Sequence, residues 1–198
     1  MKKSILLIRH GKTKGNMEGR YIGLKTDEAL CEEGKQALYK IKKDYQICDN
    51  DRQIYSSPMK RAIETADILF NECDVTIITN LKEIDFGDFE NKNYQDLNGN
   101  KDYQSWIDSG GKSDYPGGEK LDVFIKRSMA GFDEIISQMG NKGISNAAVV
   151  CHGGNIMAIM SCLTGKDYFD FQVKNGHGYK IDIEVKETEV DLISYSLI

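Results

Sequence analysis

Two histidines stand in matching local contexts. Arg9-His10-Gly11 follows directly on the short apolar run 4–8, and His152-Gly153-Gly154 follows directly on the apolar run 147–151. A third polar cluster, residues 57–61 with Ser57, Pro58 and Arg61, follows the run 53–56. Imidazole is neutral and nucleophilic near pH 7. The guanidinium fork stays charged and grips two oxygens at once, and free N–H groups at the start of a helix attract anions. These are the parts that phosphoryl transfer without a metal requires: a nucleophile, cations and N–H groups for the non-bridging oxygens, and an acid for the leaving oxygen.

Each part also has a plainer reading. A lone histidine at a strand end is more often a packed or surface imidazole, but here Arg9 precedes His10 and a glycine follows it, letting the backbone turn closely around a ligand. Arg61, expected in the first turn of a helix, reads by default as a solvated side chain. A cation there opposes the helix dipole, and a neighbouring anion would account for it. Glu83 lies in Leu81-Lys82-Glu83-Ile84-Asp85-Phe86-Gly87, and spacing alone does not separate it from Asp85, Asp88 or Glu90 as the acid. Cys151 reads as a small buried hydrophobe without a chemical role.

The elements that must position these groups alternate. Runs 4–8, 53–56, 75–79 and 147–151 read as buried strands. Residues 31–45 carry Ala37, Leu38, Ile41 and Tyr45 at helical spacing. Ser57 as N-cap and Pro58 at the first helical position predict a second helix reaching residue 70. Residues 119–139 and 153–163 complete the helices, and the alternating segments 179–185 and 190–195, joined by a charged turn, predict an edge hairpin. The expected fold is α/β: a three-layer α/β/α sandwich with a mostly parallel central sheet and an antiparallel edge strand or hairpin. Ligands in such folds gather at the carboxyl ends of the strands, where all three polar clusters fall.

With 198 residues, 40% of them hydrophobic, the chain suffices for one core and is long for two, so a single domain over 1–198 is expected. A net charge of -5 argues against nucleic acid or a membrane surface as the main partner, while a few arginines at one place still suit a small anion. The five cysteines, Cys31, Cys48, Cys73, Cys151 and Cys162, are scattered without a CxxC pair and read as reduced cytosolic thiols. Met1-Lys2-Lys3 before an apolar run has the beginning of a secretion signal, but the run 5–8 is too short and lacks a cleavage pattern. Nothing approaches the length of a membrane span. A cytoplasmic location is expected.

At the level of motifs, Leu7-Ile8-Arg9-His10-Gly11-Lys12-Thr13 with Asn16 resembles the signature of the histidine phosphatase (phosphoglycerate mutase-like) superfamily. The likeness continues through Tyr21, Gly23, Asp27, Leu30 and Gly34. Ser56-Ser57-Pro58-Met59-Lys60-Arg61-Ala62 with Glu64-Thr65-Ala66, the stretch 81–87, Pro116-Gly117-Gly118-Glu119 and Val150-Cys151-His152-Gly153-Gly154 resemble its later blocks, in order, between about residues 5 and 164. The resemblance implies that His10 is the phosphorylated nucleophile and that Arg9, Arg61 and His152 form the phosphate pocket, assisted by Asn16 and the Gly153 N–H. It selects Glu83 as the acid that later activates water, and it implies no cofactor and no metal. Lys12, Gly15 and Lys120 depart from the family pattern, which often has Glu, Trp (in mutases) and Ser there. His177 lies outside the blocks and reads as a turn residue.

Family members divide into mutases, which are longer and close over the site, and phosphatases. Residues 91–115 are polar, and a lid-like insertion at about 88–118 is expected to be open. Hydrolysis of a small phosphorylated metabolite is implied, with a phosphoglycerate mutase-type phosphotransferase as the alternative. A catalytically silent phospho-ligand binding module is less favoured, because such proteins lose the nucleophile or the acid, and a metal phosphatase lacks a ligand motif. Gly19-Arg20-Tyr21-Ile22-Gly23, the stretch 26–30 and Phe86-Gly87-Asp88-Phe89-Glu90 are most similar to the α-ribazole phosphatase branch of cobalamin biosynthesis. A monomer, or a homodimer through the tail hairpin, is expected.

Overall fold

Continuous apolar runs are stable as strands where both faces of a sheet are covered. In the computed structural model, which describes residues 1–42, 52–71, 73–186 and 189–198, such runs form the centre of the molecule. Six strands make one sheet: β1 (Lys2–Arg9), β2 (Arg52–Ser56), β3 (Val75–Ile77), β4 (Asn146–Cys151), β5 (Gly178–Lys186) and β6 (Glu189–Leu197). Their order is β3-β2-β4-β1-β5-β6. The first four are parallel; β5 runs antiparallel to β1, and β6 antiparallel to β5. This is the expected sandwich with its edge hairpin.

The helices are α1 (Lys14–Met17), α2 (Glu32–Ile41), α3 (Lys60–Leu69), α4 (Lys101–Asp108), α5 (Leu121–Asn141) and α6 (Gly153–Thr164). Successive strand residues point to opposite faces, and the core divides accordingly. Ile5, Leu7, Ala147 and Val149 pack with Phe132 and Ile135 of α5 and Ile156 and Ile159 of α6. Leu6, Ile8, Ala148 and Val150 pack with Leu38 of α2 and Ala62, Ala66 and Leu69 of α3. Among the described residues, no helix is long and apolar enough to cross a membrane.

Register aligns the chemistry. Arg9 pairs with Cys151 and Ser56 with Val150, so β1, β4 and β2 end level. Just beyond, the His10 N–H donates to the Cys151 carbonyl and the Ser57 N–H to the Val150 carbonyl, each at 2.9 Å.

Several expected boundaries differ. The helix after β2 begins at Lys60, not at Pro58, and its N-cap position is Met59. The Ser57 hydroxyl is engaged instead with His152 Nε2 at 2.8 Å, and the Lys60 N–H is capped from a distance by Asp27 Oδ1 at 2.8 Å. The third strand stops at Ile77, where the chain turns into a 3-10 helix, Thr79–Leu81, that leads to Glu83. The first long helix ends at Ile41; Tyr45 and Cys48 lie outside the described residues, as does part of the turn between β5 and β6. Helix α4 was not expected. Asn100 caps it by accepting from the Asp102 and Tyr103 N–H groups. The polar stretch around it is held by six aromatic rings, Tyr21, Phe86, Phe89, Tyr103, Trp106 and Tyr115, with neighbouring centroids 5.0–6.2 Å apart.

Candidate active site

His10 sits on the first turn out of β1, where the backbone is pinned on two sides. The Gly11 N–H donates to Thr65 Oγ1 at 2.9 Å, and the Gly176 N–H reaches the carbonyls of Arg9 and His10. His10 Nδ1 lies 2.7 Å from the Gly11 carbonyl. A carbonyl only accepts, so Nδ1 carries the proton and Nε2 presents its lone pair. Burial, then the charges of Arg61 and Arg9, hold this imidazole well below the ordinary histidine range. It is therefore neutral near pH 7.

His152 occupies the N-cap position of α6, and its ring meets that of His10 with centroids 5.1 Å apart at 61°. Burial, followed by Arg61, His10 and Arg9, depresses it in the same direction. Arg61 is fully buried; its Nη1 donates to the Thr26 carbonyl at 2.8 Å, and its Nη2 to those of Ile22 and Gly23 at 3.3 and 3.2 Å. Arg9 Nη1 donates to the Val173 carbonyl at 2.7 Å. Three buried nitrogens of these residues have no hydrogen-bond partner: Arg9 Nε, Arg61 Nε and His152 Nδ1. Unpaired buried polar atoms are costly. A phosphate group, rich in acceptor oxygens and doubly charged, satisfies such a set.

Glu83 follows the 3-10 turn and is 7% exposed. Its Oε1 accepts from the Ile84 N–H at 2.9 Å and its Oε2 from the Gly154 N–H at 3.3 Å. Burial raises its carboxyl above the usual range, opposed by those two bonds and by Arg61 and Arg9. Gly154 permits the approach, since a Cβ there would stand 2.4 Å from Glu83 Oε1. The other carboxylates are committed elsewhere. Asp85 pairs with Lys25 at 3.0 Å and accepts from the Gly87 N–H, while Glu90 accepts from the Gly23 and Phe86 N–H groups. Asp88 lies against the turn at Gly117.

Gly153 opens α6, and a Cβ added there would stand 3.5 Å from Arg9 Nε. Asn16 uses its Oδ1 to accept from the Thr13 N–H and from Asn175 Nδ2, which leaves its amide N–H groups for other acceptors. Asn175 is a residue that sequence reasoning passed over. It donates to the carbonyls of His10 and Gly11 as well as to Asn16, and its only sequence sign is that it precedes a glycine. His177, by contrast, donates from Nδ1 to the Ile198 carbonyl at 3.2 Å and lends its own carbonyl to the Arg9 N–H. Arg9 and Glu83 open onto a cavity of about 210 Å³ walled by Phe86, Tyr115, Tyr168 and Phe169. Among the described residues, no group of three or more His, Cys, Asp or Glu side chains is placed to hold a metal ion.

The family model described as histidine phosphatase superfamily (branch 1) matches residues 5–195. The adenosylcobalamin/alpha-ribazole phosphatase of Escherichia coli strain K12 is 27% identical over 194 residues, which cover 91% of this chain and 90% of that protein. The metal-independent phosphoserine phosphatase of Arabidopsis thaliana is 30% identical over 167 residues, covering 81% and 68%. The crystal structure of phosphoserine phosphatase from Entamoeba histolytica, in complex with 3-phosphoglyceric acid, matches with a TM-score of 0.76 at 28% identity, covering 98% of this chain and 96% of that one.

Proposed function

The chain belongs to the histidine phosphatase superfamily and is a phosphatase, and from that premise we propose that it hydrolyses phosphomonoesters through a phosphohistidine on His10, without a metal. In the first step His10 Nε2 attacks phosphorus, the ester P–O bond breaks, and Glu83 gives its proton to the leaving oxygen. In the second, the Glu83 carboxylate takes a proton from water, whose oxygen attacks phosphorus. The P–N bond then breaks, returning its electron pair to Nε2. Arg9, Arg61 and His152 hold the non-bridging oxygens, with Asn16 and the Gly153 N–H beside them. The arginines supply the positive charge that a metal would otherwise bring.

One observation carries this reading above the others: the Nδ1–H donated to Gly11 leaves a neutral Nε2 in a buried pocket with two guanidinium groups. The raised carboxyl of Glu83 suits it to enter the cycle protonated and to leave it as a base. Residues 88–118 serve as a lid-like insertion of a single domain, Tyr115 connecting its aromatic cluster to the cavity. The aromatic wall favours a leaving group with a flat apolar face. That supports α-ribazole phosphate as the substrate, in keeping with the likeness to the Escherichia coli phosphatase. O-Phosphoserine is the second reading, favoured by the 30% identical relative. The four described cysteines are free thiols, which fits a cytoplasmic enzyme.

The test is phosphate release from α-ribazole phosphate, O-phosphoserine and 3-phosphoglycerate in excess chelator, with His10→Ala as control. Release is expected to survive the chelator, to be fastest for α-ribazole phosphate and to vanish in the variant. Comparable release by His10→Ala would reject the nucleophile. Isomer formation without release would reject hydrolysis in favour of mutase chemistry.

A further inference from the structure

The segment that carries Glu83 belongs neither to the sheet nor to a long helix, so its carbonyls need partners from elsewhere. Three of them turn to one side chain. Arg127, on α5, donates from Nη1 to the carbonyls of Asn80 at 2.7 Å and Lys82 at 2.9 Å, and from Nη2 to that of Glu83 at 3.4 Å. Its remaining N–H groups meet the Glu119 carboxylate, Nε to Oε1 at 3.0 Å and Nη2 to Oε2 at 2.8 Å. Every N–H of the guanidinium is thereby used. Glu119 in turn donates its backbone N–H to the Asp85 carbonyl at 3.0 Å, just beyond the acid. The guanidinium lies 5.0 Å from the Phe124 ring, which packs against Gly154, whose N–H donates to the Glu83 carboxylate. The path from Glu119 through Arg127 to Glu83 is contiguous and part-buried throughout.

We propose that Arg127, oriented by Glu119, is a positioning residue for Glu83, fixing the backbone on both sides of the acid so that its carboxyl meets the leaving oxygen. The inference rests on Glu83 being the general acid of the proposed reaction. Lysine cannot replace the arginine, because three donors on a single rotating nitrogen do not reproduce a planar fork that serves three carbonyls and a carboxylate at once. Without the fork the segment loses its register, and the proton arrives late or not at all.

The consequence depends on the leaving group, which separates positioning from simple loss of stability. An alkoxide needs the proton of Glu83; p-nitrophenolate leaves without it. The kcat/KM values of Arg127→Lys, Glu83→Gln and the double variant are therefore compared on an alkyl phosphate and on p-nitrophenyl phosphate, since kcat/KM reports transfer to His10. General-acid contributions are typically about 10²–10⁴-fold, and Arg127→Lys is expected to lose roughly 10–10²-fold on the alkyl ester with little loss on the aryl ester. The double variant is expected to be no worse than Glu83→Gln alone. Equal losses on both esters, or losses that multiply in the double variant, overturn the proposal. If Glu83→Gln itself shows no preference between the esters, the acid assignment fails and the proposal with it; selectivity in Glu83→Gln alone overturns only the role of Arg127. Should Arg127→Lys not fold, Glu119→Gln, which weakens the same anchor, is read by the same criteria.

Discussion

Gly154→Ala places one methyl group between the acid and the helix that supports it. The new Cβ would stand 2.4 Å from Glu83 Oε1 and 2.9 Å from Phe124 Cζ, whereas ordinary contact begins near 3.4 Å. Phe124 is fully buried, so the carboxyl must yield by about 1 Å, stretching its 3.3 Å bond from the Gly154 N–H. A displacement of that size at a reacting group costs roughly 10²-fold in rate, or about 2.7 kcal/mol at the transition state. Stability should move less. Overpacking costs about 1–3 kcal/mol, and the higher helix propensity of alanine returns about 1 kcal/mol, leaving a deficit of about 0–2 kcal/mol. For a chain of this length that is a melting shift of at most about 8 °C. The assay is kcat/KM on an alkyl phosphate beside thermal melting, both at pH 7. A variant with unchanged kcat/KM would show that Glu83 does not act as the acid from its position against α6.

Other expectations follow from the same geometry. Arg61→Lys gives up a fork held by three carbonyls and should lower kcat/KM by roughly 10²-fold, the usual cost of one preorganised oxyanion donor; steady-state kinetics on any accepted ester will show it. The proposed mechanism requires His10 neutral and Glu83 protonated, and burial lowers the first and raises the second. The kcat/KM profile should therefore be a bell, its acid limb below the ordinary histidine value of about 6.5 and its alkaline limb above the ordinary glutamate value of about 4.3. Glu83→Gln should remove the alkaline limb, and persistence of that limb would count against the acid. His177→Ala should retain kcat/KM while losing about 1 kcal/mol of stability through its bond to the Ile198 carbonyl, as a denaturant titration would record.

Much of this arrangement was legible because it follows short-range rules. A strand, then histidine, then glycine, then a helix is readable at His152, and the same logic at His10 predicted that both imidazoles would meet at the strand ends. The choice of Glu83 among four carboxylates was not readable from spacing. It came from family likeness, and its physical basis lies in contacts remote in sequence: a bond from Gly154, and competing tasks for Asp85 and Glu90. Ser57-Pro58 carries the local signal of a helix start, yet the hydroxyl serves His152 and the helix opens at Lys60 under a distant carboxylate. Helix α4 is short, buries none of its residues fully and has only Tyr103, Trp106 and Ile107 as apolar positions; Tyr103 and Trp106 stack at 12° and hold it through rings scattered from Tyr21 to Tyr115. Arg127 and Asn175 were invisible for a related reason. Their partners are mostly backbone carbonyls, which every residue possesses and no sequence pattern marks.

The proposed reaction turns on a covalent bond between phosphorus and one ring nitrogen, and that bond can be caught directly. Rapid quenching under neutral to alkaline conditions during turnover, followed by peptide mass spectrometry, should reveal a single acid-labile phosphoryl group on the peptide containing His10. It should accumulate in Glu83→Gln, where activation of water is lost while transfer from p-nitrophenyl phosphate continues. An acid-stable adduct, a phosphoryl group on His152 or His177, or turnover with no labelled histidine at any quench time would contradict the account.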